Sequence, residues 1–555
     1  MKVIASCRLL WIIMLLMMTA VEGSASRQVR LQVISSQSSQ GACYVRIYYT
    51  PADTGINTGK PDLFKDKPWR EMELTQNPMM ITDLPAGDYY WYAWQDQTPN
   101  RQVDFDPPEP TGWYCRRFGS MQGLTIDQTD DQLHDVSIKL YAPTPFPKEN
   151  VEKGNGRLLR KKGMTVLQVW GTPEQMGWAH GALIGQQILD FFRFYIIEYQ
   201  VGSIDEYRDK TVPMLEERYN PEEEFQKEFT AIIQGMRDQG LNLYITELGR
   251  DFNTTDLLAI NAYGELYMTN LACTQAAFWG EMTSGSTLKG GLITARNMDG
   301  ETDLRKTTVM HFLITAFSPS GKTAWVSFKW PGFIGTYSGI SRNGLYCMLN
   351  YGTKEPGPVT TRHTPVTLGI RRILEEGDPM NLLESSQKII SRYCCTGGGM
   401  CGAPSVILMA GPYYGQSVPA LFYEGTRFGW SYRLPGEAPN FSPYSVIGSN
   451  HFFKYGVNPA KPDLVFGSEP YYSSRWRASV AFNKATVWER THRPVDTAEM
   501  IDFLQSVGHR YSEHSIIYRA NERKVLVAND DLKFDYWDGP FMPWIEFQLD
   551  DFFQP

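Results

Sequence analysis

Gly177, Gly181 and Gly185, with His180 among them, recur at four-residue spacing just after a strong helix start, and they constrain the fold more than any other feature. Thr172 occupies the N-cap, Pro173 the first helical position, and Gln175 completes a capping box. Spacings of three and four put these residues on one face, so the helix carries a strip almost bare of side chains. Such a strip is filled only by another backbone at close range. His180 on that face reads as a buried, hydrogen-bonded packing residue.

The elements around this helix set the class as α+β. Thr165 to Trp170 precede it as a strand. A second helix over 222–240 carries Phe225, Phe229, Ile232, Ile233 and Met236 at helical period, and a third begins near Thr255 and Asp256 and runs toward Leu266. From Cys273 the grain changes. Gly291 to Arg296, Val309 to Ile314 and Thr323 to Phe328 read as successive strands with turns at Lys289-Gly290 and Ser320-Gly321. A helical hairpin therefore precedes a strand-rich sheet, without internal repeats.

Ahead of residue 143 the chain alternates in strand-like runs: Val29 to Ile34, Tyr44 to Tyr49, and Tyr89 to Trp94 after the turn Pro85-Ala86-Gly87-Asp88. Residues 27–142 are expected to form a small β-sandwich with Cys43 and Cys115 as its disulfide. Ile81 to Tyr89 resembles a hairpin of transthyretin-like modules, which bind or space; the partner of this unit is not specified by the sequence. Residues 143–163, rich in Pro, Gly and charge, read as a linker. The rest of the chain divides at Cys273 into a helix-rich part, 164–272, and a strand-rich part, 273–555. At the extreme N-terminus Lys2, Arg8, the apolar run Leu9 to Val21 and small residues to Ala25 read as a signal peptide over 1–25. Its 13-residue apolar run is too short to span a bilayer, so an exported protein is expected, secreted or periplasmic, or lysosomal in a eukaryote, with no integral membrane span.

Composition removes other classes. The 555 residues are 42% hydrophobic, enough for a large core, and the formal charge is 53 − 61 = −8 with no Lys/Arg block. A nucleic-acid partner is excluded on that ground. Without Cys7 seven of the 8 cysteines remain, an odd number. Cys394, Cys395 and Cys401 flank a Gly-rich loop and suit a disulfide closure better than zinc, and Cys347 adds no ligand spacing; no metal and no cofactor are expected.

The chemistry gathers at Cys273. Twenty-odd residues on, Ala295-Arg296-Asn297-Met298-Asp299 ends the next strand, and an antiparallel return brings Arg296 and Asp299 beside the start of the first. Charges at the end of an apolar strand are costly to bury unless paired or used. Gly171-Thr172-Pro173 with Gly177 and His180-Gly181, then Asp256 to Ala262, Cys273-Thr274, Arg296 to Asp299 and Asn450-His451-Phe452 occur in this order. Over residues 163 to 555 this set resembles the isopenicillin N acyltransferase family of N-terminal-nucleophile cysteine hydrolases, related to choloylglycine hydrolases and acid ceramidases.

The resemblance implies a four-layer αββα sandwich whose precursor cuts itself between Ala272 and Cys273. Cleavage creates the base, because the freed α-amine has a pKa of about 8 and sits on the nucleophile itself. It further implies Cys273 as nucleophile and base, Asp299 as orienter of the amine, Arg296 beside the sulfur or a substrate carboxylate, and Asn450 as oxyanion donor. Asn350 and Arg477, with Arg475 as competitor for the latter, match later family positions, and a satisfied turn or a surface ion pair accounts for them equally. The implied substrate is a small-molecule N-acyl amide or a lipid-like molecule. Two departures stand out: a longer turn through Glu281 to Gly290, and Gly300 where relatives carry an aromatic. The alternatives are a lipid amidase or esterase of acid ceramidase or phospholipase-B-like type, and a non-catalytic binding protein on the same fold. No Gly-x-Ser-x-Gly elbow supports a serine hydrolase. His509, Ser512 and His514 read as a loop before a strand from Ile516, His451 as structural, and Asn253-Thr254-Thr255 as a sequon.

Overall fold

The computed structural model describes residues 27–35, 41–51, 66–104, 108–114, 123–127, 132–266, 272–300, 306–352, 362–395, 399–437, 442–454, 457–458, 461–465, 472–508, 511–532 and 537–553. The segment 1–25, Cys115 and His509 lie outside them. Two compact units divide the chain: 1–117 with 121–142, and 118–120 with 143–555.

The described part of the first unit is built of strands. Gln28–Ser35 pairs in parallel with Leu133–Leu140 and antiparallel with Met79–Ile81. A second sheet centres on Gly87–Asp96, paired with Ala42–Pro51. Alternate residues of both sheets, among them Val29, Leu31, Val45, Ile47, Trp91 and Ile138, share one core.

In the second unit, helix α1 (Pro173–Asp190) starts as its sequence dictates. Thr172 Oγ1 accepts the Gln175 N–H at 3.3 Å, and Gln175 Oε1 accepts the Thr172 N–H at 2.9 Å. Its bare face meets the backbone of α2 (Glu223–Asp238). A Cβ on Gly181 would lie 2.0 Å from the Ile232 carbonyl oxygen, and one on Gly177 2.3 Å from that of Glu228; reciprocally, a Cβ on Gly235 of α2 would lie 2.1 Å from the Trp178 oxygen. His180 is buried, and its Nε2 accepts the Gly332 N–H at 3.2 Å. Residues Phe191–Val201 continue α1 in π-helical form, and α3 spans Thr254–Leu266.

A ten-stranded sheet runs β12-β11-β10-β9-β8-β7-β6-β3-β2-β1. Its strands are β1 (Val151–Lys153), β2 (Gly156–Lys161), β3 (Met164–Gly171), β6 (Leu313–Pro319), β7 (Trp325–Lys329), β8 (Ser338–Ser341), β9 (Tyr346–Tyr351), β10 (Ser405–Ala410), β11 (Ala420–Thr426) and β12 (Gly429–Arg433). The segment expected to be a linker thus supplies two strands, β2 pairing Arg157 with Gln168 and Leu158 with Leu167. Charges are dense there because β1 and β2 form the sheet margin, where alternate side chains meet water.

The other sheet follows the order β13-β4-β5-β14-β15-β16, with β4 (Ala272–Phe278), β5 (Ile293–Asp299), β13 (Ser445–Gly448), β14 (Tyr511–Arg519), β15 (Lys524–Asn529) and β16 (Ile545–Gln548). Three cores follow from strand alternation. Leu167, Phe317, Trp325 and Leu349 face α1–α3 and α4 (Val366–Glu376). Val166, Ile314, Phe328 and Met348 meet Ala277, Ile516, Val525 and Val527 between the sheets. Ala276, Phe278, Ala295 and Ile517 meet α6 (Tyr472–Arg490) and α7 (Thr497–Val507), while α5 (Leu382–Ile390) packs with α4. Cys395 and Cys401 form a disulfide closing the Gly-rich loop, and Cys394 stays out of it. No helix of the described residues is long and apolar enough to cross a membrane.

Candidate active site

The hairpin of β4 and β5 places Cys273. The register sets Ala272 opposite Asp299, Cys273 opposite Met298 and Gln275 opposite Arg296. Alternation then turns Cys273, Met298 and Arg296 toward the ten-stranded sheet, and Asp299 and Asn297 toward α6 and α7. Cys273 is 2% exposed.

Arg296 is the link between the sheets. Its Nη2 lies 3.3 Å from Cys273 Sγ and donates to the Leu349 carbonyl at 2.6 Å; its Nη1 donates to Ser338 Oγ at 2.7 Å and to the Tyr337 carbonyl. The fixed fork of a guanidinium suits acceptors on two strands and a sulfur at once. Burial pushes the Cys273 thiol above its ordinary pKa, and the Arg296 charge works against that push.

The nitrogen side of Cys273 is held by a second group. Asn450 Oδ1 accepts the Cys273 N–H at 2.7 Å and an Arg477 Nη2 hydrogen at 2.7 Å, and Asn450 Nδ2 donates to the Tyr351 carbonyl at 2.8 Å. Asn450 therefore meets Cys273 as an acceptor at nitrogen, not as the oxyanion donor expected. Arg477, on α6, also donates to the Cys273 carbonyl and to Thr274 Oγ1 at 2.8 Å. It is 1% exposed while Arg475 is half-buried, which separates the two candidates. Asn350, at the end of β9, donates from Nδ2 to the Cys273 carbonyl at 3.4 Å and to the Ser449 carbonyl at 3.1 Å. Behind these, Ser474 Oγ accepts the Asn450 N–H at 2.9 Å and lies 2.8 Å from His451 Nδ1. Burial holds His451 down at about 3, which keeps its ring neutral.

Asp299 completes the group, and a feature the sequence reading missed positions it. Ser512 and His514 lie on β14, not on a loop. The register slips between Met298, opposite His514, and Asp299, opposite Ser512, leaving Glu513 as the extra residue of a bulge. The slip turns Ser512 onto the Asp299 face, where its Oγ donates to Asp299 Oδ1 at 2.5 Å. His514 faces the other way, against the rings of Phe312 and Trp330, so the two make no dyad. Glu513 also explains Gly300: a Cβ there would lie 2.5 Å from the Glu513 carboxyl carbon. The long turn is anchored elsewhere, with Thr287 N and Oγ1 both donating to Asp496. Among the described residues no group of three or more His, Cys, Asp or Glu is placed to hold a metal.

The arrangement offers a buried thiol beside a fixed guanidinium, a backbone nitrogen held by a side-chain oxygen, and a carboxylate opposite the preceding residue. No family model matches the chain. Among curated proteins, Protein dcd1A of Dictyostelium discoideum is 22% identical over 329 residues, 54% of this chain and 67% of its own length. Solved structures similar to it include a Caenorhabditis elegans N-acylethanolamine-hydrolyzing acid amidase ortholog (16% identity, TM-score 0.31, 45% of this chain and 93% of the other). A mutant conjugated bile acid hydrolase from Clostridium perfringens (9%, TM-score 0.32, 50% and 93%) and a penicillin V acylase from Agrobacterium tumefaciens (12%, TM-score 0.32, 50% and 91%) are also among them.

Proposed function

We propose that the chain is an exported, self-processing N-terminal-nucleophile cysteine hydrolase or acyltransferase on the αββα plan, cleaving the amide of an N-acyl compound through a thioester on Cys273. The observation that carries this reading is the two-sided grip on Cys273, sulfur by Arg296 and nitrogen by Asn450. A cysteine that only packs needs no cation beside its sulfur.

The chemistry proceeds in two stages. In the unbroken chain the Cys273 sulfur attacks the Ala272 carbonyl carbon. The carbon–nitrogen bond breaks as the Cys273 nitrogen takes a proton, which frees the amine, and water then hydrolyses the Ala272 thioester to release the Ala272 carboxylate and the Cys273 thiol. In the mature enzyme that amine, with a pKa of about 8, accepts the thiol proton. The sulfur adds to the substrate carbonyl, the oxyanion collapses, the leaving amine departs with the proton, and water or an acceptor amine takes the acyl group. Asn450 orients the amine at each stage and Asp299 supplies the negative charge that favours its protonated form. Asn350 Nδ2, already directed at this part of β4, is the side-chain amide best placed to stabilise an oxyanion. The buried aromatic group of Phe191, Tyr195, Trp330 and Phe333 suits an apolar acyl chain.

The test is to express the chain without residues 1–25, alone and as Cys273→Ala, and to determine intact masses and N-termini before screening N-acyl amides. Two fragments meeting at Ala272 and Cys273, absent from the variant, support the reading. A single chain under all pH and reducing conditions overturns it in favour of a binding protein.

A further inference from the structure

Lys329, the last residue of β7, is 2% exposed, and its Nζ has no hydrogen-bond acceptor among the described residues. It is roofed by aromatic faces: Nζ lies 3.0 Å from the Tyr337 ring centroid, 3.8 Å from that of Phe333 and 5.6 Å from that of Trp330. Ring faces attract the ammonium but accept no directed N–H bonds as lone pairs do, so its three donors remain unsatisfied.

The amine stands beside the nucleophile's own machinery. Tyr337, whose ring underlies Nζ, gives its backbone carbonyl to Arg296, and Arg296 contacts Cys273 Sγ. From the other sheet, the cross-strand row Cys273, Met298, His514 leads to the same place, because His514 packs on the Trp330 ring that also borders Lys329. Neither ring nitrogen of His514 has a hydrogen-bond partner among the described residues. Burial and the Arg296 charge hold Lys329 well below its ordinary pKa, with Glu513 acting in the opposite sense, and burial, reinforced by the Arg296 and Lys329 charges, holds His514 down. Lys329 Nζ and the His514 ring thus border the same aromatic ring, that of Trp330, and neither has a hydrogen-bond partner among the described residues. A carboxylate placed there accepts from the Lys329 ammonium and from a His514 N–H.

We propose that Lys329 is a specificity-determining residue: its Nζ, flanked by His514, pairs with a carboxylate carried by the N-acyl substrate. This rests on the hydrolase reading above. The carboxylate belongs either to the amine half, as in an N-acyl amino acid, or to the far end of the acyl half.

Two matched pairs separate these sources: hexanoylglycine against hexanoylglycinamide, and adipic acid monoanilide against its methyl ester. Each is assayed with processed wild type, Lys329→Met and Lys329→Arg, and the thermal midpoint is followed with each compound. A charge-assisted hydrogen bond corresponds to about a tenfold to hundredfold preference. Wild type should prefer the carboxylate member of one pair by that factor, chiefly in KM. Lys329→Met should lose the preference while hydrolysing the neutral member at near the wild-type rate, and Lys329→Arg should keep most of it. No preference in either pair, or an equal loss on both members in Lys329→Met, overturns the subsite and leaves the lysine a structural cation. Should the chain hydrolyse none of the four, a midpoint raised by a carboxylate compound in wild type and not in Lys329→Met keeps the subsite and counts against the hydrolase reading; no such rise overturns the subsite.

Discussion

Asn450 presents its side-chain oxygen to the backbone nitrogen of Cys273 at 2.7 Å, across 177 residues of sequence. On the proposed self-cleavage, the same oxygen serves an amide N–H before the cut and an amine after it. Asn450→Ala removes the acceptor from a buried donor, a loss of about 1–3 kcal/mol, or about tenfold to hundredfold in rate. Self-cleavage followed by denaturing gel against time should slow by that factor. Unchanged kinetics would remove Asn450 from the machinery.

Arg296 spends its hydrogen bonds on three acceptors of the opposite sheet as well as on the sulfur. Arg296→Lys keeps the charge but loses the fork. Folding should weaken by about 3 kcal/mol in chemical denaturation, since at least one buried acceptor is orphaned. The thiol should also become less acidic, moving the pH profile of Cys273 alkylation upward. A variant with normal stability and an unmoved profile would show that the arginine only fills space.

Much of this site was legible because a hairpin obeys simple arithmetic. Cys273 and Asp299 end adjacent strands, and antiparallel pairing had to bring them together. Ser512 was illegible for the converse reason: a bulge at Glu513 breaks the period of two, and no residue type announces it. Strands β1 and β2 were read as linker because a charged sheet margin and a charged connector share one composition. Lys329 escaped notice because the apolar run ends at Phe328, while the strand carries one residue further, into the enclosure. The helix glycines made a close backbone approach legible, though not which helix supplies it.

His180 must be neutral to accept the Gly332 N–H, and burial, reinforced by the Arg371 charge, lowers its pKa to about 3. An unfolded histidine titrates near 6.5. The sign follows: the folded value is depressed, so its contribution is complete above about pH 6.5 and is lost as pH falls toward 3, at about 1.4 kcal/mol per pH unit. Glu228, raised by burial, works in the opposite direction, so the comparison between proteins isolates the histidine. His180→Gln should flatten the acid limb of stability against pH by about one proton. Parallel limbs would show that His180 is already protonated or exposed in the native state.

Gly181 and Gly163 give opposite responses to one methyl group. At Gly181 the new Cβ would lie 2.0 Å from the Ile232 carbonyl oxygen, a backbone atom that moves only if α1 and α2 part. Their separation would disturb the core of Ala179, Ile184, Phe229 and Ile232. At Gly163 nothing lies within 4 Å, and only the φ of +86° opposes a side chain. Gly163→Ala should therefore cost about 1 kcal/mol, from strain alone. Gly181→Ala should cost about 3 kcal/mol or more, the upper range of overpacking. Equal shifts in denaturation midpoint would mean that the two helix backbones are not in contact, and the fold of the second unit around α1 would have to be redrawn.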